Sequence, residues 1–151
     1  MRQGVTVAAV FALAGFHARA MTFYWHYQAK AAPARFFDGA ATWMAAHLAP
    51  GETVINLYWD DFPDLFYSAP RQHYLWGLDP TFTLRADEGR ATVLERTRRR
   101  QLPLDGPLLG KLFGSRTLVL RTTRAIRYPE LARPPFREVY RDASAVLYRI
   151  E

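Results

Sequence analysis

Four aspartates stand out by type and spacing: Asp60, Asp61, Asp64 and Asp79. The first three follow an apolar segment, Thr53 to Trp59, and Asp79 follows a second, Gln72 to Trp76. If both segments are parallel strands, the carboxylates converge on the rim at the strands' carboxyl ends, where open α/β sheets bind ligands. Neighbouring carboxylates raise one another's pKa, as acid–base work requires, or hold a divalent cation. Tyr58, Trp59 and Trp76 add flat faces on which a sugar ring could stack. Trp59, Asp60, Asp61, Trp76 and Asp79 are therefore the candidate substrate-binding residues, with no catalytic or metal-ligating role assigned to any. The same aspartates also have a structural use, Asp60 or Asp61 as a helix cap and Asp79 in an Asp-Pro turn. Adjacent residues of a strand point to opposite faces, so two aspartates on a strand end do not face the same way.

Other constellations are thinner. Ser68 and His73 with an aspartate form a triad on paper, but no G-x-S-x-G elbow supports it. Arg96, Arg98, Arg99 and Arg100 could hold phosphates, yet cations at a helix end already complement its dipole. There are no cysteines, which excludes disulfide frameworks, iron–sulfur clusters and thiol nucleophiles. The four histidines show no H-x-x-x-H spacing, so neither a metal nor a cofactor is expected. Net charge is +6, with 20 Lys+Arg against 14 Asp+Glu, and only Lys30 and Lys111 are lysines. Residues 81–151 carry the excess, which suits anionic lipid headgroups, a phosphorylated substrate or an Arg-rich solvated surface. No RNA-binding aromatic signature or helix-turn-helix pattern is present, and no nucleic-acid partner is expected.

The elements that must position these residues can be read along the chain. Phe36, Phe37, Ala40, Ala41, Trp43, Met44 and Leu48 recur at helical steps until Pro50-Gly51. Thr53–Trp59 reads as a buried strand, Phe62–Tyr67 as a short helix and Gln72–Trp76 as a second strand. Asp87–Gln101 and Leu108–Phe113 read as helices, Arg116–Arg121 as a third strand and Tyr128–Ala132 as a helical turn. Phe136–Arg141 and Ala145–Ile150 close the chain as a hairpin around Asp142-Ala-Ser144. Strands separated by helices predict a small Rossmann-like three-layer α/β domain with a mixed sheet of about five strands and an antiparallel C-terminal pair. Val54, Ile55, Leu57, Leu75, Leu118, Leu120, Val139 and Val146 are its expected inward-facing strand residues. No G-x-G-x-x-G follows the first strand, so a dinucleotide fingerprint is absent.

Ahead of this domain, expected over residues 34–151, lies an apolar run, Val5 to Phe16, preceded by Arg2. Alone it is short for a bilayer span, which takes roughly 20 residues. It reads as a signal peptide with Ala18-Arg19-Ala20 as cleavage site, or as the outer end of a transmembrane helix. Phe23, Tyr24, Trp25 and Tyr27 crowd into an aromatic interface belt, which favours a membrane-type helix over residues 1–27. His17 and His26 fall in this membrane-proximal stretch. A helix packed onto the domain is the remaining alternative. Both membrane readings put the domain outside the cytoplasm.

Trp43-Met-Ala-Ala-His-Leu48 with Pro50-Gly-Glu-Thr-Val54, Trp59-Asp-Asp-Phe-Pro-Asp-Leu-Phe66 and Tyr74-Leu-Trp-Gly-Leu-Asp-Pro-Thr-Phe82 carry a resemblance, as do Phe136–Asp142 and Val146–Ile150. These stretches resemble the extracytoplasmic C-terminal domain of polytopic bacterial membrane proteins similar to GT-C glycosyltransferases. That resemblance implies membrane-bound transfer of a sugar from a lipid-phosphate donor. In that family the catalytic acid sits in an early extracytoplasmic loop among membrane helices, and this sequence contains no such loop. The resemblance therefore implies location and fold, and no catalytic residue. The expected function is a periplasmic accessory domain of a glycosyltransferase-like integral membrane protein, covering its site and helping to select acceptor or glycan. The expected partners are membrane lipid, membrane-embedded helices of a parent or partner protein, and a glycan or lipid-linked sugar. The alternatives are a free periplasmic or secreted binding module released by signal peptidase and an enzyme in its own right using Asp60, Asp61 and Asp79.

Overall fold

The computed structural model describes residues 2–29 and 35–151, with side chains of the first helix described from 13 to 27. The chain divides into two units, Met1–Pro33 and Ala34–Glu151. The described residues of the first form one helix, α1 (Arg2–Ala29), whose alanine-rich sequence suits an uninterrupted helix. Its Leu13, Phe16, Met21, Phe23, Trp25 and Tyr27 are all exposed. Among the described residues, no helix is long and apolar enough to cross a membrane. The side chains of residues 5–12 in the apolar run, and the expected domain start at Ala34, lie outside the described residues.

The second unit is an α/β domain. Its elements are α2 (Asp38–His47), β1 (Thr53–Asn56), α3 (Phe62–Ser68), β2 (His73–Tyr74), α4 (Pro80–Ala86), α5 (Glu88–Arg98), α6 (Gly106–Phe113), β3 (Thr117–Arg121), α7 (Thr122–Ala125), β4 (Phe136–Arg141) and β5 (Ala145–Ile150). Trp59–Asp61 and Pro129–Ala132 are short 3-10 turns. The five strands form one mixed sheet in the order β2-β1-β3-β5-β4. β1 runs parallel to β2 and β3, and β5 runs antiparallel to β3 and β4.

Period-2 alternation divides the strand residues between two cores. On one face Ile55, Leu118, Leu120, Val146 and Ile150 pack with Leu94 of α5 and Leu109 of α6. On the other, Val54, Val119 and Leu147 pack with Met44 of α2 and Leu65 of α3. Both faces of the sheet are thus covered by helices. Of the expected inward-facing residues, Leu75 and Val139 are only half-buried, because β2 and β4 are the sheet's edges.

Several element bounds differ from expectation for physical reasons. β1 stops at Asn56 and not Trp59, and Trp59-Asp60-Asp61 turns into a 3-10 segment. β2 keeps only His73 and Tyr74 of the expected Gln72–Trp76. The Asn56 amide explains part of this. It accepts from Trp76 N–H at 2.9 Å and donates to Trp76 C=O at 3.1 Å, replacing the ladder bonds a longer β2 would make. Two helices have no counterpart in the sequence reading, α4 and α7. Asp79 is the N-cap of α4, accepting from Thr81 N–H at 2.8 Å with Pro80 following it. Asp87 and Asp105 cap α5 and α6 in the same way, and Gly114 closes α6 at a positive φ of 62°.

Candidate functional site

The chain leaves β1 into α3 on one face of the sheet and leaves β3 into α7 and the Pro129–Ala132 turn on the other. Adjacent parallel strands whose exits diverge in this way open a crevice between their carboxyl ends, the usual ligand position in open α/β sheets. Asp60 and Asp61 stand at the β1 side of that crevice, and Arg121 and Arg124 at the β3 side.

These side chains fill it. The Arg124 guanidinium donates to both Asp60 oxygens, at 2.5 and 3.0 Å, and to Asp61 Oδ2 at 2.9 Å. Arg121 donates through Nε to Asp61 Oδ1 and reaches Asp64 Oδ2 at 3.5 Å. Because the two aspartates lie on a 3-10 turn, both meet one arginine, contrary to the opposed directions expected on a strand. Neither caps α3, whose first turn receives no side-chain bond. The guanidinium of Arg124 also stacks 4.1 Å from the Tyr58 ring centroid, and that of Arg121 lies 4.6 Å from Phe36.

A second polar line runs behind them. Arg127, which can only donate, bonds the Tyr58 hydroxyl at 3.1 Å. Tyr128 donates to the Arg98 carbonyl at 3.3 Å, so the Tyr58 hydroxyl must donate to Tyr128, 3.1 Å away. Burial, together with the bond to Tyr58, pushes the Tyr128 phenol well above its ordinary pKa.

Electrostatics separate the two aspartates. Burial raises the Asp61 carboxyl above the ordinary carboxylate value, against the pull of Arg124 and Arg121. Burial pushes Asp60 the same way, but the bonds and charge of Arg124, with Arg121 behind, outweigh it and hold Asp60 below its ordinary value. The arrangement is a lock of three carboxylates on two guanidiniums that ties the ends of two strands together.

The remaining candidates fall elsewhere. Asp79 turns inward on its own helix, bonded to Thr81 through both backbone and hydroxyl, and makes no bond to Asp60 or Asp61. Trp76 is 1% exposed inside the core, so its indole offers no face to a sugar. Its buried Nε1 has no hydrogen-bond partner. Trp59, 41% exposed beside Asp60, keeps an open ring surface. Ser68 donates to Asp38 at 2.9 Å, and His73 makes no triad with it. Arg98 and Arg99 pair with Glu95, and Arg100 forks onto Glu130 at 3.0 and 3.1 Å, so these three arginines of the cluster are engaged within the domain. Among the described residues, no group of three or more His, Asp or Glu is placed to hold a metal ion. Arg121, Arg124 and Tyr128 were missed in the sequence; a basic residue ending the central strand, opposite an Asp-Asp pair, was the available signal.

The domain has further concave surfaces. A cleft of about 460 Å³ beside α6 is lined by glycines with Lys111 and Arg116, whereas a cleft of about 450 Å³ between α2 and β4 brings together Trp43, His47, Arg137 and Arg149. In the second, the Trp43 and His47 rings stack at 4.4 Å.

Comparison of the chain with family models, curated proteins and solved structures returns no match. The likeness to glycosyltransferase tail domains therefore rests on the sequence stretches alone.

Proposed function

We propose that this chain is an extracytoplasmic accessory domain of a glycosyltransferase-like integral membrane protein, one that helps to hold acceptor or glycan and does not turn it over alone. The observation that carries the non-catalytic half is the arginine lock. At the crevice where an α/β enzyme would place its reacting groups, Asp60 and Asp61 are both bonded to Arg124, and Asp61 to Arg121 as well. These carboxylates are engaged by arginines of the same domain, the arrangement of a structural clamp between strand ends.

The membrane half draws on the resemblance and on α1. Its exposed Phe16, Phe23, Tyr24, Trp25 and Tyr27 are of the types that collect at a membrane–water interface. In this reading α1 holds the chain at the cell membrane, and the α/β domain lies on the periplasmic side. Membrane lipid, helices of a parent or partner protein and a glycan or lipid-linked sugar are its partners. The α2–β4 cleft, where Trp43 and His47 stand beside Glu138 and the paired Arg137 and Arg149, is the surface this reading assigns to a saccharide.

Fractionation of the full chain and a transferase assay on the purified protein test both halves. The chain is expected with membranes until detergent releases it, and without sugar transfer from a lipid-linked donor. A freely soluble monomer would refute the membrane half. Turnover abolished by Asp60→Asn would replace the accessory role with an enzyme.

A further inference from the structure

The cleft beside α6 lies at the other end of the parallel strands from the arginine lock. It is lined by Arg116, just before β3, by Ile150 and Glu151, at the end of β5, and by Gly110 and Lys111 of α6. Its charge is unbalanced. Among the described residues, neither Lys111 nor Arg116 makes an ion pair or a side-chain hydrogen bond, whereas nearby Arg149 is held by Glu52 and Thr117. Glu151, the one acid in the lining, is bonded by Arg137. Lys111, in the last turn of α6, complements the helix dipole, but Arg116 lies beyond the helix and has no such use.

A second observation comes from α6 itself. Gly106 has a packing reason, since a Cβ there would stand 2.9 Å from Pro135, and Gly114 has the positive φ of the helix end. Gly110 has neither. A Cβ at 110 would meet only the Ser115 carbonyl oxygen, at 3.6 Å, which is an ordinary contact. Glycine is nonetheless much poorer than alanine inside a helix. What it leaves in return is open space in the lining of the cleft.

We propose that this cleft binds a phosphate monoester, with the Arg116 guanidinium and the Lys111 ammonium on its oxygens and Gly110 leaving it room. Two uncompensated cations match a group that carries nearly two charges at neutral pH, whereas a carboxylate carries one. A guanidinium forks onto phosphate oxygens, and an ammonium adds a point charge. At about 460 Å³ the cleft exceeds the phosphate itself, so the organic part of the ester has a place as well. The site belongs to the α/β domain alone and needs neither the membrane nor the saccharide reading.

Glycerol 3-phosphate, titrated into the isotope-labelled full chain and followed by the amide signals of Gly110, Lys111, Gly114 and Arg116, tests the site. Arg116→Gln is expected to weaken binding by about tenfold or more and Lys111→Gln several-fold. Arg96→Gln, which changes an exposed arginine of α5, should leave it unchanged. Gly110→Ala separates a binding role from a structural one, because it should raise the denaturant midpoint and weaken binding together. Phosphatidic acid vesicles, set against phosphatidylcholine vesicles, present the same phosphate monoester on a lipid. Arg116-dependent binding of either the free ester or the phosphatidic acid confirms the site, and the one that binds names the source. Equal losses in Arg96→Gln and Arg116→Gln would reduce the effect to surface charge and overturn the proposal. A chain that answers neither probe would overturn it too, and a Gly110→Ala variant that binds as the parent does would remove Gly110 from the site.

Discussion

Asp61, in the turn after β1, and Arg121, the last residue of β3, are bonded side chain to side chain across the mouth of the parallel sheet. The Asp61 side chain is 3% exposed, and the arginines it serves are 17% and 21% exposed. Removing one partner of a buried ion pair leaves the other charge uncompensated, at a cost of about 3–5 kcal/mol. Asp61→Ala is expected to lose stability at the lower end of that range, because Asp60 and Asp64 still pair the two guanidiniums. Asp60→Ala, at a position 45% exposed, should lose about 1 kcal/mol or less. Denaturant midpoints of the two variants check the ranking, and equal losses would contradict the lock.

The same cluster sets a pH response with two opposing parts. Asp60 and Glu130 titrate below their ordinary values in the folded chain. For both, arginine bonds overcome the effect of burial. Their stabilisation is complete above the unfolded carboxylate range and is lost as pH falls through the lowered values. Asp61 is raised, so its contribution runs the other way: folding weakens as pH climbs from the ordinary carboxylate value through the raised one. Carboxyl NMR titration should therefore find the Asp61 midpoint above that of Asp60. Glu130→Gln should flatten the acid side of the stability curve.

Asn56 joins β1 to the segment after β2 through one amide, satisfying both backbone groups of Trp76. Asn56→Ala leaves a buried N–H and a buried C=O without partners, at about 1–3 kcal/mol for each group. Asn56→Asp should be at least as damaging, since an ionised carboxylate accepts the N–H but cannot donate to the carbonyl. Thermal unfolding orders these variants, with Asn56→Gln expected between them and the parent.

How far the sequence reveals this molecule depends on the range of the signal. The closing strands Phe136–Arg141 and Ala145–Ile150 stand where expected, because period-2 alternation and a tight hairpin are both local. The α2 face, with Ala40, Ala41 and Met44 buried, was equally legible from its helical spacing. Asp60 and Asp61 stand out in the sequence as neighbours, but their arginine partners lie 60 or more residues onward, and pairing at that distance leaves no local trace. Trp76 looked like a surface platform because an aromatic after a strand carries no mark of burial. The α4 helix escaped notice for the opposite reason. With no buried face it shows no periodic apolar stripe, and only Asp79-Pro80, as N-cap and first helical residue, announced it.

Gly39 lies where α2 meets the hairpin. A Cβ there would stand 2.1 Å from the Tyr140 hydroxyl and 2.5 Å from Asp142 Oδ2, far inside contact distance. Tyr140 and Asp142 are themselves bonded at 2.6 Å, which, with burial, raises the phenol to about 12. Gly39→Ala must displace the hydroxyl, so the bond to Asp142 breaks and the phenol becomes easier to ionise. Spectrophotometric tyrosine titration should show one residue moving down toward the ordinary value, alongside a loss of stability. A titration curve identical to the parent's would mean that α2 shifts instead.

Asp79 and Asp105 test what a cap is worth when the helix beneath it differs. Both accept a backbone N–H in the first turn, at 2.8 and 2.9 Å, and both are followed within two residues by proline. α6 buries Gly106 and Leu109, and Leu109 belongs to the main core, so loss of its cap is felt by the whole fold. Asp105→Ala should lower global stability by about 1 kcal/mol. α4 buries nothing, so its opening exposes no core surface and is a local event. Asp79→Ala should speed amide hydrogen exchange in residues 82–87 while leaving the denaturant midpoint close to the parent's. If Asp79→Ala lowered that midpoint as much as Asp105→Ala, α4 would have to be part of the cooperative core.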